Sequence, residues 1–388
     1  MTERPRLLFL FSDTGGGHRS AAEAILEALE TEFPGRFSTR LVDVFKEYAP
    51  YPLDKAPQAY PEMVRIPQAW GLGYHLSDGP RRARALTRVF WPYVRKAVRR
   101  MMRANPADVI VSVHPLFTAS IDRALGPNRP ALITVVTDLV TAHALWYHRG
   151  VDLCLVPTEA ARDRAIRLGL RPERVQAVGL PVAQRFCVPF GDRETLRGEL
   201  GWPLDLPLVL VVGGGEGMGP LSETAQAIAQ GGEGRLGVVV VCGRNERLRR
   251  RLEQVDWKVP AFIYGFERRI PEMMRATNLL VTKAGPGTIA EALNAGLPMV
   301  LYSRLPGQEE GNVGYVQEEG VGVWAPGPER AASAALRWLE DPHVLRQAAA
   351  RCRAIARPRA ARDIAEILAG FAEVRMANRR GRETSVLK

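Results

Sequence analysis

Runs of consecutive aliphatic residues recur along the chain, each followed by a longer stretch in which apolar positions return every three or four residues. The first run is 7–11; a tight loop follows at 15–17, and from 19 to 33 the apolar positions Ala22, Ile25, Leu26 and Leu29 fall on one face of a helix. A run with no polar alternation suits a strand covered on both faces, so this opening reads as a βα unit of a parallel sheet. Further strands are predicted at 38–43, 109–113, 131–137 and 153–157, with helical patterns between them. Between about 46 and 80 the pattern is lost among prolines and aromatics, and the expectation is a long irregular insertion.

The same alternation then starts again. Residues 188–207 carry Pro189, Pro203 and Pro207 in a polar stretch and read as an interdomain linker. Five more short strands follow at 208–212, 237–242, 261–264, 279–282 and 299–302, the first running into GGGEGMG. The expected fold is α/β with two Rossmann-like domains whose parallel sheets face a cleft, the ligand lying at the carboxyl ends of the strands. The expected divisions are 1–187, a linker at 188–206, a second domain at 207–375 whose last helices can cross back, and a loose tail at 376–388. A length of 388 residues agrees with two domains of about 100 to 250 residues each.

Composition narrows the class. With 46% hydrophobic and 24% charged residues the chain is of ordinary globular make-up. Cys154, Cys187, Cys242 and Cys352 stand far apart, framing neither a disulfide scaffold nor a zinc site, which favours a reducing cytosol. The apolar run at 7–11 is too short for a signal peptide, and no stretch approaches the roughly 20 apolar residues of a membrane span. A soluble or peripheral protein is expected.

The net charge is +11, with 26 Lys/Arg against 18 Asp/Glu up to Phe190 and 27 against 24 after it. The excess in the first half suits an anionic partner, although a solvated basic face needs none. From Arg81 to Arg103 there are nine Lys/Arg and no acid, interleaved with aromatic and aliphatic residues. This reads as a basic amphipathic segment able to lie on an anionic leaflet, with Arg88, Trp91, Arg95 and Arg99 facing the membrane. The alternative is a domain helix with a core face and a solvated arginine face, interrupted at Pro92. No recognised nucleic-acid motif accompanies the charge, so no nucleic-acid partner is expected.

Neither glycine loop fits G-x-G-x-x-G: Gly15 and Gly17 are followed by Ser20, and Gly213 and Gly215 by Met218. The strand after the second loop ends in Cys242, Gly243 and Arg244, without the acid that would hold an adenosine ribose, and no phosphate-binding G-x-x-x-x-G-K motif occurs. What remains is bare amides and a helix N-terminus facing an anion or polar substrate. His18 closes the first loop at a helix start, where the dipole disfavours imidazolium and favours a neutral base; a capping or surface role is the alternative. In 282–312 a strand, a Gly/Pro turn and a helix start offer amides to a phosphate. Glu291 stands one turn inside that helix, where it either accepts from a cis-diol or balances the dipole. Gln308, Glu309 and Asn312 then crowd one loop in a way that suits sugar hydroxyls or a surface turn.

These residues carry a resemblance. GGGHRSAAEAI, SVHPL, VVTDL, HRGVDLCLVPTE, GLPV, GGGEGMGP, CGRN, TKAGPGTIAEAL and PGQEEGN occur in the order seen in the diacylglycerol glycosyltransferases, and together cover most of 7–320. The chain resembles the monogalactosyldiacylglycerol synthases and the bacterial processive glucosyl enzymes, inverting GT-B enzymes of glycosyltransferase family 28 related to the peptidoglycan-precursor N-acetylglucosaminyltransferase. The resemblance implies a UDP-hexose donor on the second domain and a diacylglycerol-type acceptor on the first, giving a β-glycolipid. It implies His18 as general base, with Asp138 as its partner or substitute, and an acceptor side formed by Gly16, Gly17, His114 and His143. On the donor side it implies Gly214, Gly215, Arg244 and Phe266, then Lys283, Gly285, Gly287 and Thr288 at the diphosphate. Glu291 would hold the ribose, and Gln308, Glu309 and Asn312 the hexose. No D-x-D pair occurs, so no metal and no cofactor beyond the sugar nucleotide is expected. An anionic membrane surface is the expected partner, with no obligate protein partner, and the expected location is cytoplasmic, peripheral on the inner face of the cell membrane. Two alternatives remain: a UDP-sugar epimerase on the same scaffold, and a transferase for another lipid acceptor. A noncatalytic sugar-nucleotide or lipid-binding protein would have no use for His18.

Overall fold

The protein is described from a computed structural model that covers residues 4–14, 16–63, 66–188, 191–217 and 219–386, without the side chains of 61 and 378–386. The chain forms two compact units, one of Met1–Gln184 with Pro306–Gln308 and Arg359–Lys388, the other of Arg185–Leu305 with Glu309–Pro358.

The first unit runs β1 (Arg6–Phe11), α1 (Gly17–Glu32), β2 (Ser38–Asp43), α2 (Val44–Tyr48), α3 (Ala56–Met63), α4 (Pro67–Ser77) and the long α5 (Pro80–Ala104). It continues through β3 (Val109–Ser112), α6 (Thr118–Leu125), β4 (Ala131–Val135), β5 (Leu153–Val156), α7 (Glu159–Arg167) and β6 (Val175–Ala177). The strands make one parallel sheet in the order β2-β1-β3-β4-β5-β6. Alternation along β1 feeds two cores. Leu7, Phe9 and Phe11 pack with Ala22, Ile25 and Leu29 of α1, while Leu8 and Leu10 pack with Val98 and Met101 of α5 and Ile121 of α6.

The second unit begins with α8 (Arg193–Leu200) and continues β7 (Leu208–Val212), α9 (Leu221–Gly231), β8 (Gly237–Val241), α10 (Glu246–Glu253), β9 (Ala261–Tyr264) and α11 (Ile270–Ala276). Then come β10 (Leu279–Lys283), α12 (Pro286–Ala295), β11 (Met299–Ser303), α13 (Glu310–Glu318), β12 (Gly322–Trp324), α14 (Pro328–Glu340) and α15 (Pro342–Ile355). Its parallel sheet has the order β12-β11-β10-β7-β8-β9. The last helix, α16 (Ala360–Val386), belongs to the first unit. Ile364, Ala365, Leu368 and Ala372 are buried in the core beneath β1, and Arg362 and Glu373 pair with Glu32 and Arg36. Burying Ile364 and Leu368 contributes on the order of 3–6 kcal/mol, enough to hold a terminal helix.

The last helix makes the crossing back allowed for the end of the second domain: residues 359–375 join the first unit because α16 buries its apolar stripe there. Other expectations change. The tail expected to be loose is helical as far as Val386, the last two residues lying outside the described ones. The stretch expected as a linker contains α8, capped by Asp192 at Thr195 N, whose buried Arg197 donates to Ala276 O and Asn278 Oδ1; Pro189 and Phe190 lie outside the described residues. The insertion at 46–80 is largely helical. Pro67 and Pro80 stand at the first positions of α4 and α5, where a missing N–H costs nothing, so prolines that looked like breakers are starters. Likewise α5 continues through Pro92. Each sheet also gains one edge strand that was not expected, β6 and β12, of three residues each, too short to show a periodicity.

Candidate active site

In the first sheet the strand order reverses between β1 and β3, and ligands of such sheets sit outside the carboxyl ends at that point. The loop leaving β1 turns at Gly16, φ 78°, where a side chain would be strained, and releases α1 at Gly17. That places His18 in the first turn. Its Nδ1 lies 2.8 Å from Thr137 Oγ1, and its ring centroid stands 4.8 Å from His114, on the loop leaving β3, and 5.8 Å from Trp146. Burial pushes the His18 imidazole down to about 4, opposed by the Val113 carbonyl, so the ring is neutral at pH 7. A neutral ring was expected, but burial, not the helix dipole, is the main cause.

His114 is also neutral, held well below the usual imidazole range by burial and by His18. It stacks on Phe117 at 4.6 Å and meets Phe45 edge-on at 5.7 Å. Asp138 is buried: Trp146 Nε1 donates to its Oδ2 at 2.6 Å and Gln308 Nε2 to its Oδ1 at 3.0 Å. His143 accepts from Leu145 N at its Nδ1, which leaves the proton on Nε2, 3.1 Å from Ser77 Oγ; it fastens the end of α4. Tyr74 of α4 donates to Thr141 O at 2.6 Å, and Thr141 Oγ1 donates to Gln308 O at 3.0 Å, so Gln308 is anchored in the first unit.

The second sheet reverses between β7 and β10. After β7, Gly214 and Gly217 take φ 75° and 58°, and a Cβ on Gly217 or Gly243 would lie 2.4 Å from Cys242 O or 2.3 Å from Gly215 O. Only glycine lets these two backbones approach so closely. Arg244 donates to Glu216 Oε1 at 2.6 Å and covers the exposed ring of Phe266 at 5.1 Å. After β10, Gly285 caps α12; Pro286 has no N–H, and the helix geometry leaves the amides of Gly287 and Thr288 without intrahelical acceptors. Such an end suits an anion. Lys283 Nζ pairs with the buried Glu309 at 2.6 Å, and Leu305 N donates to the other Glu309 oxygen at 2.8 Å. Asn312 is buried and donates from Nδ2 to Ala284 O, holding the turn before α12. Glu291, half-buried and facing out of α12, is pushed up to about 7 by burial, with Arg185 opposing.

Of the residues expected to face a membrane, Arg88, Arg95 and Arg99 are exposed, whereas Trp91 is buried, its ring under Arg123 at 5.0 Å. The apolar surface lies elsewhere: Tyr51, Met63, Ile66, Leu72, Leu76, Val89, Phe90 and Tyr93 are all exposed, on α3, α4, α5 and their joins. No helix among the described residues is long and apolar enough to cross a membrane, and among them no group of three His, Cys, Asp or Glu is placed to hold a metal. Sequence reasoning missed Thr137, Trp146 and Arg185. Thr137 was signalled only by standing beside Asp138, and Trp146 reads in sequence as a core residue.

Two six-stranded parallel sheets, each with a glycine loop at its reversal, define the GT-B architecture. A MurG structure from Acinetobacter baumannii shares the fold, with TM-score 0.59 and 15% identity over 94% of this chain and 99% of that one. So does the UDP-GlcNAc 2-epimerase from Neisseria meningitidis bound to UDP-GlcNAc, at 0.61 and 12% over 94% and 100%, so fold alone does not separate transferase from epimerase. Sequence does. Residues 18–182 match the family described as monogalactosyldiacylglycerol (MGDG) synthase, and 208–322 match the glycosyltransferase family 28 C-terminal domain. The chain is 41% identical over 372 residues to the probable monogalactosyldiacylglycerol synthase 2, chloroplastic, of Oryza sativa subsp. japonica, covering 92% of this chain and 79% of that protein. The chain belongs to the monogalactosyldiacylglycerol synthase family, and it is a transferase. The plant synthases are chloroplastic by name, which corrects the expected location on the inner face of a cell membrane: the charge and hydropathy behind that expectation describe a surface and do not distinguish one membrane from another.

Proposed function

We propose that this protein moves a galactosyl residue from UDP-galactose to the free hydroxyl of diacylglycerol, with inversion to a β linkage. The observation that carries this reading is the 41% identity, over 92% of the chain, to a protein named for that product. The geometry supports each half of it. The diphosphate rests on the Gly287 and Thr288 amides, with charge neutralised by the helix end and not by a metal. Glu291, whose carboxyl has no hydrogen-bond partner among the described residues, accepts from the ribose diol. His18 takes the acceptor hydroxyl proton as the new C1–O bond forms, and the bond from C1 to the diphosphate breaks to release UDP. Galactose recognition falls to the 306–312 stretch, in which Glu309 is held by Lys283 and Leu305, whereas Gln308, with Nε2 on Asp138, keeps its amide oxygen and Asn312, with Nδ2 on Ala284 O, keeps its buried Oδ1 to pair. The exposed apolar residues of 51–93, beside the arginines of α5, form the face that meets the lipid surface.

The test offers diacylglycerol in anionic vesicles with UDP-galactose, UDP-glucose or UDP-N-acetylglucosamine, each with EDTA, and reads the lipid products by mass spectrometry. A β-galactolipid from the first tube alone is the expected result. A glucolipid would move the hexose assignment, loss of product with EDTA would remove the metal-free reading, and altered donor without glycolipid would favour an epimerase.

A further inference from the structure

We propose that Thr137 is the positioning residue of the base: its hydroxyl accepts the Nδ1 hydrogen of His18, fixing the tautomer that leaves Nε2 free to take the acceptor proton. This rests on the reading of His18 as base. Thr137 Oγ1 lies 2.8 Å from Nδ1, and among the described residues it supplies the one side-chain hydrogen bond to that ring. Thr137 is buried just past β4, where the Val136 amide donates to Leu155 O at 2.8 Å, so its backbone is tied to the sheet; a β-branched side chain on such a backbone has few rotamers to choose from. The neighbouring carboxylate, the expected partner, is engaged elsewhere: Asp138 receives Trp146 Nε1 at 2.6 Å and Gln308 Nε2 at 3.0 Å.

Of the other groups around His18, only the Val113 carbonyl, which can accept but not donate, bears on which ring nitrogen keeps a hydrogen. The His114 ring meets it edge-on at 4.8 Å and is itself neutral. On α1, Arg19 is spent on Asp13, with Nε and Nη2 donating to the two oxygens at 2.6 and 2.5 Å. The Val113 carbonyl favours whichever ring form carries more protons, the form reached during transfer. A hydroxyl orients the ring without adding charge, which a carboxylate would do, so the imidazole stays neutral until the acceptor proton arrives. In the step itself the acceptor O–H proton passes to Nε2, Nδ1 keeps its hydrogen on Thr137 Oγ1, and Thr137 keeps its own proton.

The test compares Thr137→Val, which keeps the shape and removes the hydroxyl, with Thr137→Ser, which keeps the hydroxyl, under saturating donor and acceptor. Thr137→Val is expected to lower kcat about 10- to 100-fold with the donor KM within about twofold of wild type, and Thr137→Ser to stay within about threefold. In wild type, the ring ¹⁵N signals of His18 are expected to show a protonated Nδ1 and a bare Nε2, a pattern lost in Thr137→Val. Unchanged kcat in Thr137→Val, a Ser variant as impaired as Val, or a wild-type ring protonated on Nε2 each overturns the proposal. If Thr137→Val does not fold, the Ser variant and the wild-type spectrum decide. The double variant with His18→Ala separates the two readings. It should be no worse than His18→Ala alone, and additive losses would place Thr137 outside the path through His18. A His18→Ala variant with normal turnover would remove the base itself, and Thr137 with it, whereas a dead His18→Ala beside a normal Thr137→Val removes Thr137 only.

Discussion

At the reversal of the first sheet stand two neutral imidazoles and a threonine hydroxyl; at the reversal of the second stand glycine amides, an ion pair and an isolated carboxyl. The backbone plan of the two is closely related, and the difference lies in which groups burial has left able to gain or lose a proton. In the first unit, enclosure pushes the histidines down so that they wait as uncharged acceptors. In the second, the same physics pushes Glu291 up, so that its charge develops when donors arrive to meet it. The surfaces differ too. Among the described residues eight of the twelve exposed large apolar side chains lie between Tyr51 and Tyr93, whereas the second unit exposes only Leu204 and Phe266, the latter under Arg244. On the proposed reading, one unit takes a proton from a lipid acceptor and the other holds the donor's diphosphate and hydroxyls.

The sharpest way to break this contrast is His18→Ala, which should lower kcat by about 10² or more while donor affinity by calorimetry stays nearly unchanged. Near-normal turnover would mean that the proton leaves by another route. The next largest effect belongs to the second unit: Glu291→Ala should weaken UDP binding roughly tenfold with little change in the fold. The carboxyl of the free protein titrates at about 7 and a diol favours its ionised form, so binding draws a proton off. Affinity should therefore be full above pH 7 and fall toward tenfold per unit below it, until the bound form also protonates. In Glu291→Gln that dependence should vanish; a wild-type affinity flat from pH 8 to 5.5 would exclude Glu291 as the diol acceptor. The smallest effect expected is that of Arg95→Ala on vesicle binding. One cation near an anionic surface contributes about 1 kcal/mol, so the partition coefficient should drop about fivefold in low salt and less in high salt. An equal loss on neutral vesicles would show that the effect is not electrostatic.

The strand pattern was legible because both sheets are buried on both faces, and unbroken runs such as 208–212 and 237–241 admit little else. Ten of the twelve strands stand where the runs placed them, within two residues. The two missed, β6 and β12, are three-residue edges that bury too little to leave a pattern. The helices between 56 and 77 were illegible for a related reason: their Met63, Leu72 and Leu76 are exposed, so periodicity toward a core was weak. The order of motifs along the chain likewise carried the transferase reading, because ordered local spacings survive where single glycine loops say little.

What only the tertiary structure decided is how side chains far apart in sequence share hydrogen bonds. Thr137 and Asp138 are adjacent, and nothing local indicates that the hydroxyl goes to His18 while the carboxylate goes to Trp146 and Gln308. Glu309 looks like a free sugar-binding group until Lys283 and Leu305 are seen to occupy it, and Asn312 until its Nδ2 is seen to hold Ala284 O, which leaves only its Oδ1. Trp91 belongs to an amphipathic pattern in sequence and to the core in space. Periodicity reports which face of an element is apolar, because burial of that face follows from the chain's local geometry. Which buried polar atom pairs with which is fixed by contacts between residues up to 170 positions apart, and no local pattern carries that information.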